Sequence, residues 1–298
     1  MKRLALVVNP SAGRGRGDRM TALIEYRLAA AGYALATTRA SSVEHARVAC
    51  ADAVAGGVDG LVVVGGDGMA HLGVNACANT GVPLGIVPAG TGNDFCRGVG
   101  IGRRWSGGVD AVVRGRVRTI DLAEVTGGLY SGERVYVGCV VSTGFDERVN
   151  ARANNFSVDL GAPAYAWAVV REVGAFNPLR YRLTVNGRTR ELDAMLVAVA
   201  NSGIFGGGIK IAPDYDLTDG LLDVVIVHPL SKVKLAALFP RLMIDPHFTH
   251  PVLERFRVSS ITVAGDDLHG AADGEPLGIP PLTVSAAPGA LRVFAPGL

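Results

Sequence analysis

Residues 63–76 read VVGGDGMAHLGVNA, an apolar run that leads into three glycines wrapped around one carboxylate, Asp67. An acid between glycines at the end of a strand is poor packing material. Three chemistries suit it: a plain tight turn, a dinucleotide loop, or a loop that handles phosphate. Glycine lets backbone N–H groups approach an anion without a Cβ in the way, and it permits turns that aim several N–H groups at one point. A carboxylate beside such N–H groups is a natural partner for Mg²⁺, which bridges carboxylate and phosphate oxygens. Two further loops of the same composition follow apolar runs, Asn9–Gly17 and Pro88–Asp94.

The first loop contains Gly13-Arg-Gly-Arg-Gly17, which misses the GxGxxG spacing of a dinucleotide fingerprint. The next strand ends in ALATT with no acid to hold a ribose, and no GK[ST] follows to make a Walker loop. A single glycine-rich turn is as easily structural as functional. Three at strand ends point to a nucleotide triphosphate cradle with a metal.

The elements that must carry these loops alternate. Leu4–Val8, Tyr33–Thr38, Gly60–Val64 and Pro83–Pro88 read as strands, with helices over Asp18–Ala31, Val43–Val54 and His71–Asn79 and another near Asn93. Strands alternating with helices imply a parallel sheet with helices on both faces, an α/β domain of three layers over residues 1–120. Ligands on such a sheet bind outside the carboxyl ends of the strands, where all three loops fall.

After residue 120 the texture changes. Arg118–Val125, Val135–Ser142, Arg180–Val185, Leu192–Ala200, Leu222–Val227, Arg257–Val263 and Leu282–Ser285 read as strands joined by Gly, Asn and Asp turns. They predict a β-rich, antiparallel, sandwich-like domain over 121–287, with helical insertions at Pro163–Ala175 and Leu230–Leu242. The last strand, Leu291–Phe294, is free to return to either domain, which places 288–298 with the first domain as one option.

Bulk properties exclude several classes. A chain of 298 residues with 49% hydrophobic content supports two domains. A net charge of +2 with scattered arginines argues against a nucleic-acid partner. The four cysteines show no CxxC spacing and read as buried hydrophobes of a reducing compartment. The apolar part of MKRLALVVNPSAG is short for a signal peptide, and no apolar run reaches the length of a membrane span. The expectation is a cytoplasmic protein. The histidines form no ligand spacing, and His71 faces either the nucleotide or solvent.

Taken together, VVNPSAG (7–13), GGDG (65–68), PLGIVPAGTGNDFCR (83–97), IDLAEV (120–125), GFDERV (144–149), NSGIFGGGIKIAPDYDLTDGLLDV (201–224) and ADGEPL (272–277) resemble the diacylglycerol kinase catalytic-domain family. Within it the chain is most similar to the bacterial soluble lipid kinases related to sphingosine and ceramide kinases. The GTGNDF run separates this family from NAD kinases and phosphofructokinases, which share a GGDG loop. The resemblance implies an active site in the cleft between the two domains, ATP and Mg²⁺ as cofactors, and transfer of the γ-phosphoryl group to a lipid hydroxyl, diacylglycerol foremost.

Carried over residue by residue, the resemblance puts Asn9, Ser11 and Gly13 in the first phosphate loop and Thr38 beside the nucleotide. Gly65, Gly66, Asp67 and Gly68 form the central loop, and Gly90, Thr91, Asn93 and Asp94 the third. Asp273 and Glu275 match a DGE motif whose glutamate is taken as general base, with Asp67 the metal-holding acid. Asp219 matches an aspartate that holds a structural Mg²⁺ with the carbonyls of Asp216 and Leu221. From the residues alone, DGE reads as an ordinary turn between strands, and the DG of Asp219 as a hairpin turn that does not exclude a metal there.

The chain departs from the family at Met69 and Leu72, where a threonine and a glutamate are usual, and at Arg14, where lysine is frequent. A methionine cannot bond phosphate or metal. Two readings follow: an active kinase, or a nucleotide- and lipid-binding protein of the same fold without catalysis. A lipid acceptor implies transient contact with a membrane surface. Lys232–Met243 is a basic and apolar segment that either meets the interface or covers the sheet, and Pro163–Phe176 either lines an acyl pocket or is core. A homodimer is left open.

Overall fold

The computed structural model describes residues 1–144, 178–231 and 247–296, with five isolated positions between 232 and 246. The expected insertion at Pro163–Ala175 lies outside the described residues, and that at Leu230–Leu242 lies largely outside them. The N-terminal half alternates β1 (Arg3–Val8), α1 (Ala12–Ala30), β2 (Ala34–Arg39), α2 (Val43–Ala55), β3 (Gly60–Gly65), α3 (Asp67–Cys77), β4 (Leu84–Pro88), α4 (Asp94–Gly98) and α5 (Trp105–Arg114). β1 and β3 are apolar and buried on both faces, as a parallel sheet under helices requires. Ser42 caps α2 by accepting the His45 N–H at 3.0 Å. The strands run in the order β2-β1-β3-β4, all parallel. The chain therefore reverses direction across the sheet between β1 and β3, and the crevice outside those two strand ends is where such a sheet takes a ligand.

Two helix starts differ from expectation. α1 begins at Ala12 rather than Asp18, so Gly13–Gly17 lies inside a helix and the first loop shrinks to Asn9–Ser11. α3 begins at Asp67 rather than His71, which places the carboxylate in the first turn of a helix capped by Gly66. The helix α5 has no counterpart in the sequence reading, because the Gly107–Gly108 pair in WSGGVDAVVR imitates a turn. A Cβ at Gly108 would collide with the Ile86 carbonyl, so that glycine is what lets the helix lie flush on β4.

The second half holds β5 (Val117–Leu129), β6 (Val135–Val137), β7 (Val140–Gly144), β8 (Leu179–Val185), β9 (Arg188–Ala194), β10 (Leu196–Ala200), the short β11 (Ile204–Phe205) and β12 (Ile209–Lys210), β13 (Leu222–Val227), β14 (Leu253–Val258), β15 (Ser260–Ala264), β16 (Gly270–Ala272) and β17 (Glu275–Phe294). One antiparallel layer runs β14-β13-β10-β7-β16. The other is built from β6, β5, β17, β15, β8 and β9. A core including Tyr181, Val197, Val199, Val224, Ile226, Ile261 and Val284 fills the space between them.

The two halves are not separate sheets. β17 runs for 20 residues, pairing β16 at Glu275, β15 at Leu282–Ser285 and, through Val293, β4 in parallel. β5 follows it antiparallel along nearly its whole length. The expected boundaries at 120/121 and 287/288 thus fall inside β5 and β17. The parallel sheet accepts β17 on its β4 edge and an antiparallel neighbour beyond it, so the whole sheet is mixed.

Asp121 secures this junction. Its carboxylate accepts the Gly220 N–H and the Gly289 N–H, each at 2.8 Å, and it is almost fully buried. Asp121→Ala removes two charge-assisted hydrogen bonds and is expected to lower unfolding stability by about 2–3 kcal/mol, read as a lower midpoint in a urea titration.

Candidate active site

The three loops meet where the strands end. The Asn9 N–H donates to the Val64 carbonyl at 3.0 Å, and the Ala89 N–H donates to the Gly65 carbonyl at 2.8 Å. Asn9 Oδ1 accepts the Ser11 N–H at 3.1 Å and the Ser11 hydroxyl at 2.8 Å. Gly66 and Gly90 approach so closely that a Cβ at Gly66 would stand 3.2 Å from the Gly90 Cα. Larger residues at these two positions would push the loops apart and open the N–H cradle.

Asp67 ties the central loop to the third. Its Oδ2 accepts the Asn93 N–H at 2.8 Å and its Oδ1 the Asp94 N–H at 2.6 Å. Asn93 has φ +54° and closes its own loop, with Oδ1 accepting the Gly90 N–H and Nδ2 donating to the Gly90 carbonyl. Asp94 Oδ2 accepts the Gly207 N–H at 2.8 Å from the β11–β12 hairpin, while its Oδ1 is buried without a hydrogen-bond partner. Burial pushes the Asp94 carboxyl up to about 6; the Gly207 N–H pulls it down and the charge of Asp67 pushes it further up. Burial likewise raises Asp67, against the backbone N–H groups of Asp94, Asn93 and Phe95 that lower it.

The DGE turn reaches this cradle from the other half. The Glu275 side chain is exposed, and its Oε1 lies 3.3 Å from where a Cβ at Gly68 would stand. Asp273 is used differently. Its carboxylate accepts the N–H groups of Gly138, Cys139 and Val140 at 3.0–3.2 Å and stands 3.5 Å from His71 Nδ1. It positions the β6–β7 corner rather than facing the cleft as a free acid. His71 accordingly points to Asp273, with Asn75 Nδ2 at 3.3 Å from its Nε2.

Three other expected site residues lie at the rims of these loops or farther along the sheet edge. Thr38 lies in the edge strand β2 opposite Val7, and with His45, Ala49 and other residues of β1, β2 and α2 it lines a cavity of about 420 Å³ on the α2 side. Thr91 is exposed on the loop tip, and Gly13 is inside α1. Asp219 and Asp216, expected at a structural metal with Leu221, each close a local turn: Asp219 Oδ1 accepts the Leu221 N–H at 2.9 Å, and Asp216 Oδ1 accepts the Thr218 N–H and hydroxyl. The Arg257 guanidinium supplies the positive charge there, reaching Asp219 at 3.4 Å, Asp223 at 3.0 Å and the Asp214 carbonyl.

Sequence reasoning passed over Arg97 and the triple glycine 206–208, although both lie in quoted motifs. Arg97 Nε donates to the Gly92 carbonyl at 3.2 Å, and the guanidinium lies against Gly208. Together with the Gly207–Asp94 bond this clamps the β11–β12 hairpin over α4.

Among the described residues no three His, Cys, Asp or Glu side chains converge on one point. A divalent ion here would need oxygens from a phosphate as well, which is how Mg²⁺ is held with one or two carboxylates. The unpartnered Asp94 Oδ1 and the remaining lone pairs of Asp67 fit that use.

An α/β cradle closed by a carboxylate from a β sandwich defines a phosphate-handling enzyme of two halves. Residues 3–125 match the diacylglycerol kinase catalytic domain, and residues 139–295 match the YegS C-terminal NAD kinase beta sandwich-like domain. A diacylglycerol kinase of Mycobacterium tuberculosis is 34% identical over 297 residues, covering 99% of this chain and 95% of that protein. One from Bacillus subtilis is 27% identical over 87% of this chain and 86% of its own length. The crystal structure of a diacylglycerol kinase from Bacillus anthracis shares the fold with a TM-score of 0.74 at 21% identity, over 99% of this chain and 97% of that one. The chain belongs to the diacylglycerol kinase family.

Proposed function

We propose that the protein transfers the γ-phosphoryl group of ATP to the hydroxyl of a lipid, with diacylglycerol as the acceptor and phosphatidic acid as the product. The observation that carries this reading is the exposed Glu275 carboxylate set over the first turn of α3, beside Gly68 and the N–H cradle. A lipid hydroxyl is a poor nucleophile, and a carboxylate at that place can take its proton as the oxygen bonds to the γ-phosphorus and the bond to the β-phosphate oxygen breaks. The loops at Asn9–Ser11, Gly66–Gly68 and Gly90–Asn93 hold the phosphate chain in line for that attack. Asp67 and Asp94 would hold a Mg²⁺ ion, which would supply charge neutralisation at the transferring group. Asp273 positions the turn that carries Glu275.

The departures at Met69 and Leu72 do not favour a non-catalytic protein. Met69 is 5% exposed and buried in the core over Gly65, and Leu72 packs against the same core. Their side chains serve packing. Met69→Thr is therefore expected to cost about 1–2 kcal/mol of stability by leaving a cavity, with turnover retained where both proteins are folded. Thermal melts and initial rates on the same preparations check this.

The test of the function is transfer from γ-labelled ATP with Mg²⁺ into diacylglycerol, monoacylglycerol, ceramide, sphingosine and undecaprenol in mixed micelles. Labelled phosphatidic acid that is absent with Glu275→Ala is the expected result. Nucleotide binding without product from any lipid would overturn it.

A further inference from the structure

Glu275 can take the hydroxyl proton only if it is held at one place over the first turn of α3, yet it hangs from the other half of the molecule. The need to hold it there rests on the reading of Glu275 as base given above.

The turn before Glu275 is stiff. Ala272 pairs with Glu275, so Asp273 and Gly274 alone join β16 to β17. Both have left-handed backbones, with φ +51° and +89°. This is the two-residue hairpin that Asp-Gly favours. Glu275 therefore moves only as far as that turn moves. The Asp273 carboxylate accepts the N–H groups of Gly138, Cys139 and Val140, which ties the turn to its own half but not to α3.

One face of α3 makes the ties across. His71 and Asn75 lie at i and i+4 and so point the same way. Asn75 Nδ2 donates to the Tyr136 carbonyl at 2.9 Å, and Asn75 Oδ1 accepts the Tyr136 N–H at 2.9 Å. Among the described strands β6 pairs only with β5, and this amide covers its other edge as a neighbouring strand would. Two partners of opposite kind leave the amide a single orientation. Its second N–H then lies toward His71, with the His71 carbonyl at 2.9 Å and His71 Nε2 at 3.3 Å. Nε2 is thus an acceptor. Nδ1 faces Asp273 Oδ2 at 3.5 Å, and a carboxylate can only accept, so Nδ1 carries the proton. Both side chains are largely buried, so solvent competes little for this contact.

We infer that His71 is a positioning residue for the phosphoryl transfer. As an Nδ1–H donor oriented by Asn75, it holds the Asp273–Gly274 turn at the height over α3 that puts Glu275 beside Gly68. The ring closes within one helical turn, since a Cβ at Gly68, three residues before His71, would stand 3.3 Å from Glu275 Oε1. The His71 contact is longer than any of the three backbone contacts of Asp273, so it can be removed without releasing the β6–β7 corner.

The test uses the full chain, with labelled ATP and diacylglycerol in mixed micelles. His71→Leu removes the donor at similar size, and His71→Asn returns an amide N–H close to the place of Nδ1. His71→Leu is expected to lower kcat by roughly tenfold, since a misplacement of about 1 Å costs up to ~10²-fold. KM for ATP and the affinity for ADP should stay at the parent's values, and His71→Asn should recover most of the loss. In a Glu275→Gln background His71→Leu is expected to change nothing further, because the group it positions is gone. Nitrogen NMR of the parent with isotope-labelled histidine, assigned by the signals lost in His71→Leu, should show Nδ1 protonated and Nε2 bare. The reverse tautomer, an equal fractional loss in both backgrounds, a loss shared by ADP affinity, or no recovery in His71→Asn each overturns the proposal. His71→Leu at the parent's rate while Glu275→Gln is inactive overturns it too, and leaves the base reading standing. Glu275→Gln at the parent's rate removes the base reading itself, and this proposal with it.

Discussion

Glu275→Gln is expected to lower turnover by about 10³-fold, the range of a lost general base, while ADP binding and the melting temperature stay at the parent's values. The reason is the division of labour within one turn. Glu275 is exposed and makes no hydrogen bond or ion pair to another described residue, so the amide replaces it without orphaning a partner. Its neighbour Asp273 holds three backbone N–H groups, and changing it disturbs the β6–β7 corner as well as the site. Single-turnover transfer, ADP calorimetry and a thermal melt on the same variant separate the two cases. A glutamine variant that turns over within tenfold of the parent would mean that another group takes the hydroxyl proton. One that melts early would mean that Glu275 carries structure after all.

The same division shows how much of the site the sequence discloses. Motif runs place Asp67, Asn93, Asp94 and Glu275 beside strand ends and turns, since the glycines around them mark close backbone approaches that no larger residue allows. The runs do not disclose direction. Asp67 and Asp273 both turn their oxygens toward backbone N–H groups, which depends on how α4 and the β6–β7 corner meet across the cleft. The ion pairs of Arg257 with Asp219 and Asp223 join residues 38 and 34 apart in the chain, so a local reading of the acids cannot see them.

The fold divides in a similar way. β3, with apolar residues between flanking glycines, is legible from its own composition. β17 is not, because Pro276, Gly278, Pro280, Pro281 and Gly289 punctuate what is one strand. Its irregularities sit at bulges, where an N–H is not needed for the ladder, so residues that break a central strand are tolerated. A reading that stops at each breaker puts its segment edges at 120/121 and 287/288, inside strands that run on. Two strands, β5 and β17, pass through both halves, so the described strands form one continuous sheet across them.

Asp94→Asn is expected to make the protein more stable and less active at once. The Asp94 carboxyl is 8% exposed, carries one unpartnered oxygen and is raised from the ordinary 3.8 to about 6, chiefly by burial. A carboxyl raised on folding favours the folded state most below its unfolded value, and that contribution is lost as pH climbs through the folded value. Between 3.8 and about 6 the loss amounts to about 3 kcal/mol, and above 6 it is complete. Asparagine keeps an oxygen for the Gly207 N–H and replaces the unpartnered, charged oxygen with a neutral amide. It also relieves Asp67 of a like charge. The variant should therefore unfold at higher urea than the parent at pH 8, and the two curves should converge as the pH falls to 4. Turnover should fall by on the order of 10²-fold through lost charge stabilisation at the transferring phosphoryl group. Stability held back at a binding carboxylate is a known cost of function. Equal stability at pH 8 would show that the ionised Asp94 is solvated in the empty cleft. A stable variant with full activity would remove Asp94 from the phosphate site and leave the metal-holding role to Asp67.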